Sequence, residues 1–210
     1  MQELQVMSVV PGSKGKVNIR FEDGVEVAMY RGELRKLTAQ EEQLLLREGA
    51  YVPDWLYQKV LQEIVGLRAK KRAMFLLEQR DYTEQQLMEK LRRSQYPEMC
   101  VEMAISYVKQ YHYVDDLRYA IHYIQYHQSK KSRQKLKMDL MQKGVKKETI
   151  EQALEETFES DERQQIRELA EKRHFDSAGS NEKEKRRMYQ FLMRRGYKSS
   201  DILSVLKCQE

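Results

Sequence analysis

Apolar residues return at helical spacing three times along the C-terminal two-thirds of the chain. Leu87 and Leu91 stand one turn apart, as do Leu136 and Leu140, and Met188 and Leu192. Such i, i+4 pairs mark one face of an α-helix. Five residues beyond the second member of each pair stand Tyr96, Val145 and Tyr197; ten beyond, Val101, Ile150 and Ile202; fourteen beyond, Ile105, Leu154 and Leu206. An earlier helix in each copy carries Ala73/Leu76/Leu77, Ala120/Tyr123/Ile124 and Ile166/Leu169/Ala170. From Leu91 to Leu140 is 49 residues and from Leu140 to Leu192 is 52. This self-similarity predicts a tandem array of three-helix repeats.

Local signals punctuate the repeats. Asp115 and Asp116 precede the first helix of the middle copy and supply capping carboxylates. Gly144 and Gly196 follow the second helices, where a left-handed turn suits glycine, and Gln95 takes that place in the first copy. Thr83 is a further cap, and Pro97 opens a third helix. The expected divisions are a β-rich extension over 1–37, connecting helices over 38–67, and repeats over 68–112, 113–159 and 160–210. The loop Phe175–Asn181 is longer than its counterparts and reads as mobile.

The N-terminal segment has a different period. Val17, Ile19 and Phe21 alternate with Lys16, Asn18 and Arg20, Asp23-Gly24 signals a hairpin, and Val25, Val27 and Met29 resume the alternation. With the run Leu4–Val10, this predicts a meander of three strands. Gly12-Ser13-Lys14-Gly15-Lys16 has too few residues between its glycines for a phosphate loop and reads as a turn. Thr38 and Glu41 form a capping box for a helix over Gln40–Glu48. A further helix begins at Pro53-Asp54 and carries Trp55, Val60, Leu61, Ile64 and Val65; Trp55 is expected in the core or at a docking surface.

The middle copy also carries a recognisable string. Tyr113-Val114-Asp115-Asp116-Leu117-Arg118-Tyr119-Ala120, then Lys135-Leu136, Asp139-Leu140 and Lys143-Gly144-Val145, resembles the central motif of the RecX family. Arg194-Arg195-Gly196-Tyr197 is similar to that family's closing Arg-Arg-Gly-Phe. The resemblance spans about Ala69 to Leu206. The chain departs from it at Ser129-Lys130, where the family often has glycine, and at Gln95. The resemblance implies an all-α fold of helix-turn-helix-like repeats in an elongated curved array. It also implies a non-enzymatic regulator that binds the RecA nucleoprotein filament and inhibits ATP hydrolysis and strand exchange.

Composition suits a repeat protein with thin cores: 34% of the 210 residues are charged, with a formal net charge of +5. The arrangement of charge is more informative than the total. Lys130, Lys131, Arg133, Lys135, Lys137, Lys143, Lys146 and Lys147 face one intervening acid, Asp139. Lys183, Lys185, Arg186, Arg187, Arg194, Arg195 and Lys198 surround only Glu184. Arg72, Arg92 and Arg93 stand in the first repeat. Acids concentrate between Glu148 and Glu171. Basic second helices on one side of an array predict a phosphate-binding stripe, nonspecific and salt-sensitive. The candidate contacts are Arg72, Arg92, Arg93, Arg118, Tyr119, Lys130, Lys131, Arg133, Lys135, Lys137, Lys143, Arg186, Arg187, Arg194 and Arg195, with single- or double-stranded DNA as a second partner.

Little in the sequence suggests catalysis. Cys100 and Cys208 stand alone, so no disulfide framework is expected and a reducing cytoplasm is; a monomer is expected as well. No signal or membrane segment is evident. Asp115-Asp116 with His112 and His122 does not converge as a metal site needs to, so neither metal nor cofactor is expected. Most of the tyrosines Tyr107, Tyr111, Tyr113, Tyr119, Tyr123 and Tyr126 are expected to line repeat interfaces, one or two being free to stack on bases. The alternatives are a DNA-binding protein independent of RecA, an enzyme with an unrecognised site, and a generic interaction scaffold.

Overall fold

The computed structural model describes residues 3–176 and 179–206. It forms two compact units that divide after Val114. The position of Cys208 and part of the loop expected to be mobile, residues 177 and 178, lie outside the described residues.

The first unit opens with strands β1 (Glu3–Pro11), β2 (Lys16–Phe21) and β3 (Glu26–Tyr30), followed by helices α1 (Arg31–Leu34) and α2 (Ala39–Leu45). A fourth strand, β4 (Tyr51–Pro53), is too short for its alternation to have been legible. The expectation of three strands is corrected accordingly: the sheet is antiparallel with order β3-β2-β1-β4. The Gly12–Lys16 segment is a hairpin turn, closed by Gly12 N–H donating to the Lys16 carbonyl at 2.9 Å. Ile19, Phe21, Val27 and Met29 are buried as the alternation required. Side chains cover the sheet's exposed edges. Glu48 Oε1 accepts from Val9 N–H at 2.8 Å, and Arg68 donates to the Ala28 carbonyl at 2.7 Å. Covered edges resist pairing with other chains.

One continuous helix leads out of the sheet: α3 (Asp54–Gln58), a π-helical stretch over Lys59–Val65, and α4 (Gly66–Gln79). Its first part packs against β1 and β4; α4 packs against α5 (Glu84–Arg93) and α6 (Glu98–Gln110). In the π turn the Leu61 carbonyl accepts from Gly66 N–H and from the buried Cys100 thiol at 3.3 Å. A Cβ on Gly66 would stand 2.8 Å from that carbonyl and 3.2 Å from Met103 Cε. Burial pushes the Cys100 thiol up to about 11, which leaves it protonated and inert. Trp55 is 55% exposed, which leaves the surface of its two expected placements.

The second unit contains α7 (Asp116–His127), α8 (Arg133–Gln142) and α9 (Lys147–Thr157), then α10 (Glu162–Glu171), α11 (Glu182–Arg194) and α12 (Ser199–Leu206). Each trio has its own small core. Leu136, Leu140, Ile150 and Leu192 are fully buried, each contributing about 1.5–3 kcal/mol of transfer free energy.

The repeat period has a backbone cause. After α5, α8 and α11 the chain turns through a left-handed residue: Gln95 (φ 61°), Gly144 (φ 83°) and Gly196 (φ 82°). The next N–H then reaches back to the helix, Tyr96 to Leu91, Val145 to Leu140 and Tyr197 to Leu192. This pattern satisfies carbonyls at a helix end and seats an apolar residue beneath it. Gln95 carries a Cβ in a conformation that costs most L-residues about 1–2 kcal/mol. Gln95→Gly should therefore stabilise the first unit by about 0.5–1 kcal/mol, after allowance for glycine's greater freedom when unfolded. A urea midpoint that falls would contradict this.

Among the described residues no helix is long and apolar enough to cross a membrane, and no His/Cys/Asp/Glu group could hold a metal ion.

Candidate nucleic-acid interface

Asp115 caps α7 by accepting from the N–H groups of Leu117 (2.9 Å) and Arg118 (3.0 Å). Asp116 is the first residue of the helix and not its cap, which corrects the paired-cap expectation. Ser132 caps α8 by accepting from Lys135 N–H at 3.2 Å, and it donates to the Arg195 carbonyl at 2.7 Å. The start of α8 is thereby fastened to the end of α11. Gln165 strengthens this joint between the second and third repeats by accepting from Tyr197 Oη at 2.9 Å and donating to the Gln128 carbonyl.

The basic stripe is more neutralised than its sequence suggests. Asp139 accepts from Lys131 Nζ (2.7 Å) on one oxygen and pairs with Lys135 Nζ (2.8 Å) through the other. Tyr123 Oη donates to the same carboxylate at 3.1 Å and accepts from Lys131 at 2.9 Å. Burial pushes the Asp139 carboxyl up, but the hydrogen bonds from Lys131, Lys135 and Tyr123 outweigh it and hold the group at about 2. Lys137 pairs with Glu151 across to α9. Arg92 is tied to Glu98, Arg93 to Glu89 at 3.8 Å, and Lys185 to Glu182 at 3.3 Å. These pairs compensate part of the basic stripe within the protein itself. Lys131 is a structural member of a partly buried network, and Lys137 is shared with the next helix.

Other cations lie on aromatic rings. Arg72 is over Phe75 (5.3 Å), Arg133 over Phe158 (5.8 Å), and Arg195 over Phe191 (4.6 Å). Lys131 and Lys143 stand 5.1 and 5.3 Å from the Tyr123 ring. Arg118 and Lys130 are exposed. Among the described residues, Arg186, Arg187, Arg194 and Lys198 make no ion pair. The third repeat therefore presents the least compensated positive face.

The tyrosines also depart from expectation. Tyr111, Tyr113 and Tyr126 are exposed, and Tyr107, Tyr119 and Tyr123 only partly buried, so most do not line repeat cores. Tyr119 lies nearly parallel to Tyr123, 6.4 Å apart at 11°, and His127 is 4.4 Å beyond. The spacing Tyr119, Tyr123, His127 along one face of α7 was the sequence signal for this row, and it was missed. The buried Ser132 was missed as well, because its partner is 63 residues distant.

The geometry of each repeat resembles helix-turn-helix, with Gly144 in the turn between α8 and α9. The helix that would enter a groove is acidic: α9 bears Glu148, Glu151, Glu155 and Glu156, and α6 bears Glu98 and Glu102. Such helices repel phosphate, which leaves the second helices as the cationic elements.

Known proteins share both the sequence and the architecture. The family models for the first, second and third three-helix domains of RecX match residues 69–107, 115–154 and 160–206. The regulatory protein RecX of Clostridium acetobutylicum is 33% identical over 168 residues, covering 77% of this chain and 78% of that protein. The regulatory protein RecX of Vibrio parahaemolyticus is 31% identical over 157 residues, covering 74% and 99%. A crystal structure of a regulatory protein RecX shares the fold with a TM-score of 0.63 at 20% identity, over 97% of this chain and 98% of that one. With all three of its characteristic domains matched in order, the chain belongs to the RecX family of regulatory proteins.

Proposed function

We propose that this protein regulates a RecA recombinase by binding the RecA–DNA filament and inhibiting its ATP hydrolysis and strand exchange. The ordered match of all three RecX domains carries the reading. The charge arrangement supports it, because a filament offers both DNA and protein. Uncompensated cations on α11 suit phosphate, and the acidic third helices of the first two repeats suit a partner other than DNA. The action is by binding without chemistry, needs no cofactor, and belongs to a cytoplasmic monomer. Of the sequence candidates, Arg186, Arg187 and Arg194 are the preferred contacts. Lys130, Lys143, Arg118 and Tyr119 follow, and Lys131, Lys135 and Lys137 take a supporting role.

The test is ATP hydrolysis by the cognate RecA on single-stranded DNA, with this protein titrated below one copy per RecA. Inhibition at such ratios is expected. Arg186→Glu with Arg194→Glu should raise the concentration required roughly tenfold, each reversal removing a phosphate contact and adding repulsion. Hydrolysis unchanged until the protein coats the DNA would favour DNA binding independent of RecA.

A further inference from the structure

Around His127 the second repeat gathers rings and cations that capping and core packing do not require. Tyr126 is 80% exposed, more than any other large apolar or aromatic side chain among the described residues. Its ring meets His127 at 4.9 Å and 88°, and His127 meets Tyr123 at 4.4 Å, so Tyr126 is braced by the row beneath it. Lys131 and Lys143 flank Tyr123. Burial first, and then the fields of Lys131, Lys143 and Lys130, hold the imidazole below its ordinary value, with Asp139 acting against them. The ring is therefore neutral at physiological pH, and the cations are close by. A single exposed tyrosine needs no explanation. Contiguous rings along α7 with a lysine rim form an aromatic platform bordered by positive charge.

We propose that this cluster is a stacking site for single-stranded nucleic acid, with a nucleobase on Tyr126 and the neighbouring phosphates on Lys130 and Lys143. It rests on the reading of the chain as a partner of a DNA filament, and it assigns the single strand to a particular surface. Base–aromatic stacking tolerates any sequence and contributes about 1–3 kcal/mol per base. In a duplex the faces of the bases are already occupied by their neighbours, so the platform selects single strands.

The experiment needs no recombinase. The full-length protein is titrated by fluorescence anisotropy against a 12-nucleotide single strand and against an abasic strand of the same length and charge. The base-bearing strand is expected to bind about tenfold tighter. Tyr126→Ala should bring that ratio to about one, Tyr126→Phe should keep it, and Lys130→Ala should weaken both strands alike. Circular dichroism should match the wild type, since Tyr126 is exposed. Equal binding of the two strands by the wild type, or a ratio that survives Tyr126→Ala, overturns the proposal. Either result leaves RecA inhibition to stand or fall on the hydrolysis assay.

Discussion

Gly196→Ala is expected to cost the second unit about 3 kcal/mol. Alanine in a left-handed conformation loses about 1–2 kcal/mol wherever it sits. At this position the new Cβ would also stand 2.9 Å from Ser132 Oγ and 3.3 Å from Lys135 N. Ser132 cannot turn away freely. Its buried hydroxyl caps α8 through Lys135 N–H and donates to the Arg195 carbonyl. Losing that cap costs about 0.5–2 kcal/mol, and an unsatisfied buried hydroxyl costs a comparable amount. Gly24 is the control: its φ is also +82°, yet nothing lies within 4 Å of its Cβ position. Gly24→Ala should cost only the conformational part. Native-state hydrogen exchange reads each unit separately. Equal losses at the two sites would mean that the Ser132 joint contributes nothing.

Asp139→Asn should remove about 2 kcal/mol at neutral pH and flatten the acid limb of the stability curve. The Asp139 carboxyl titrates at about 2 in the folded chain against an ordinary 3.8. A lowered folded value means that the stabilisation is fully present above the unfolded value and is lost as pH falls through the folded one. The wild type should lose it between about pH 4 and pH 2. Its side chain is 12% exposed, so solvent screening is limited. The amide leaves Lys131 and Lys135 without their shared counter-charge. Unfolding midpoints measured across that window check the prediction, and an unchanged wild-type slope in the variant would refute it.

The repeats were legible because their signal is local. Leu91, Leu140 and Leu192 each accept the turn that defines the period, and the turn residue itself sits four positions on. The glycine-free copy was legible too, from the spacing of Leu87, Leu91 and Tyr96, and its Gln95 adopts the same left-handed conformation. What was hidden depends on neighbours distant in sequence. Lys137 and Glu151 are on different helices, and Lys131 meets Asp139 across the start of α8. A tally of bases in sequence cannot show that these charges cancel. Strand β4 is three residues long and gains its identity only by pairing with Glu3–Gln5. The choice between core and surface for Trp55 was hidden for a different reason. Trp55 lies eighteen residues before the buried Ala73, about five turns of a regular α-helix, and so falls on the inward face. The wider π turn between them breaks that extrapolation and leaves the indole outward.

The same π turn sets which sequence changes the chain can accept. The residues before it face the sheet, and those after it face α5 and α6, so a single helix serves two parts of one continuous core at different angular settings. Each residue added to or removed from Lys59–Val65 would rotate one half against the other by about 100°. Leu56 and Val60 would leave the sheet, or Ala69 and Ala73 would leave the first repeat. Loops elsewhere can lengthen at little cost. Within this stretch the length of the chain is itself fixed by the packing on either side, and an insertion or deletion there should be as damaging as the loss of a core side chain.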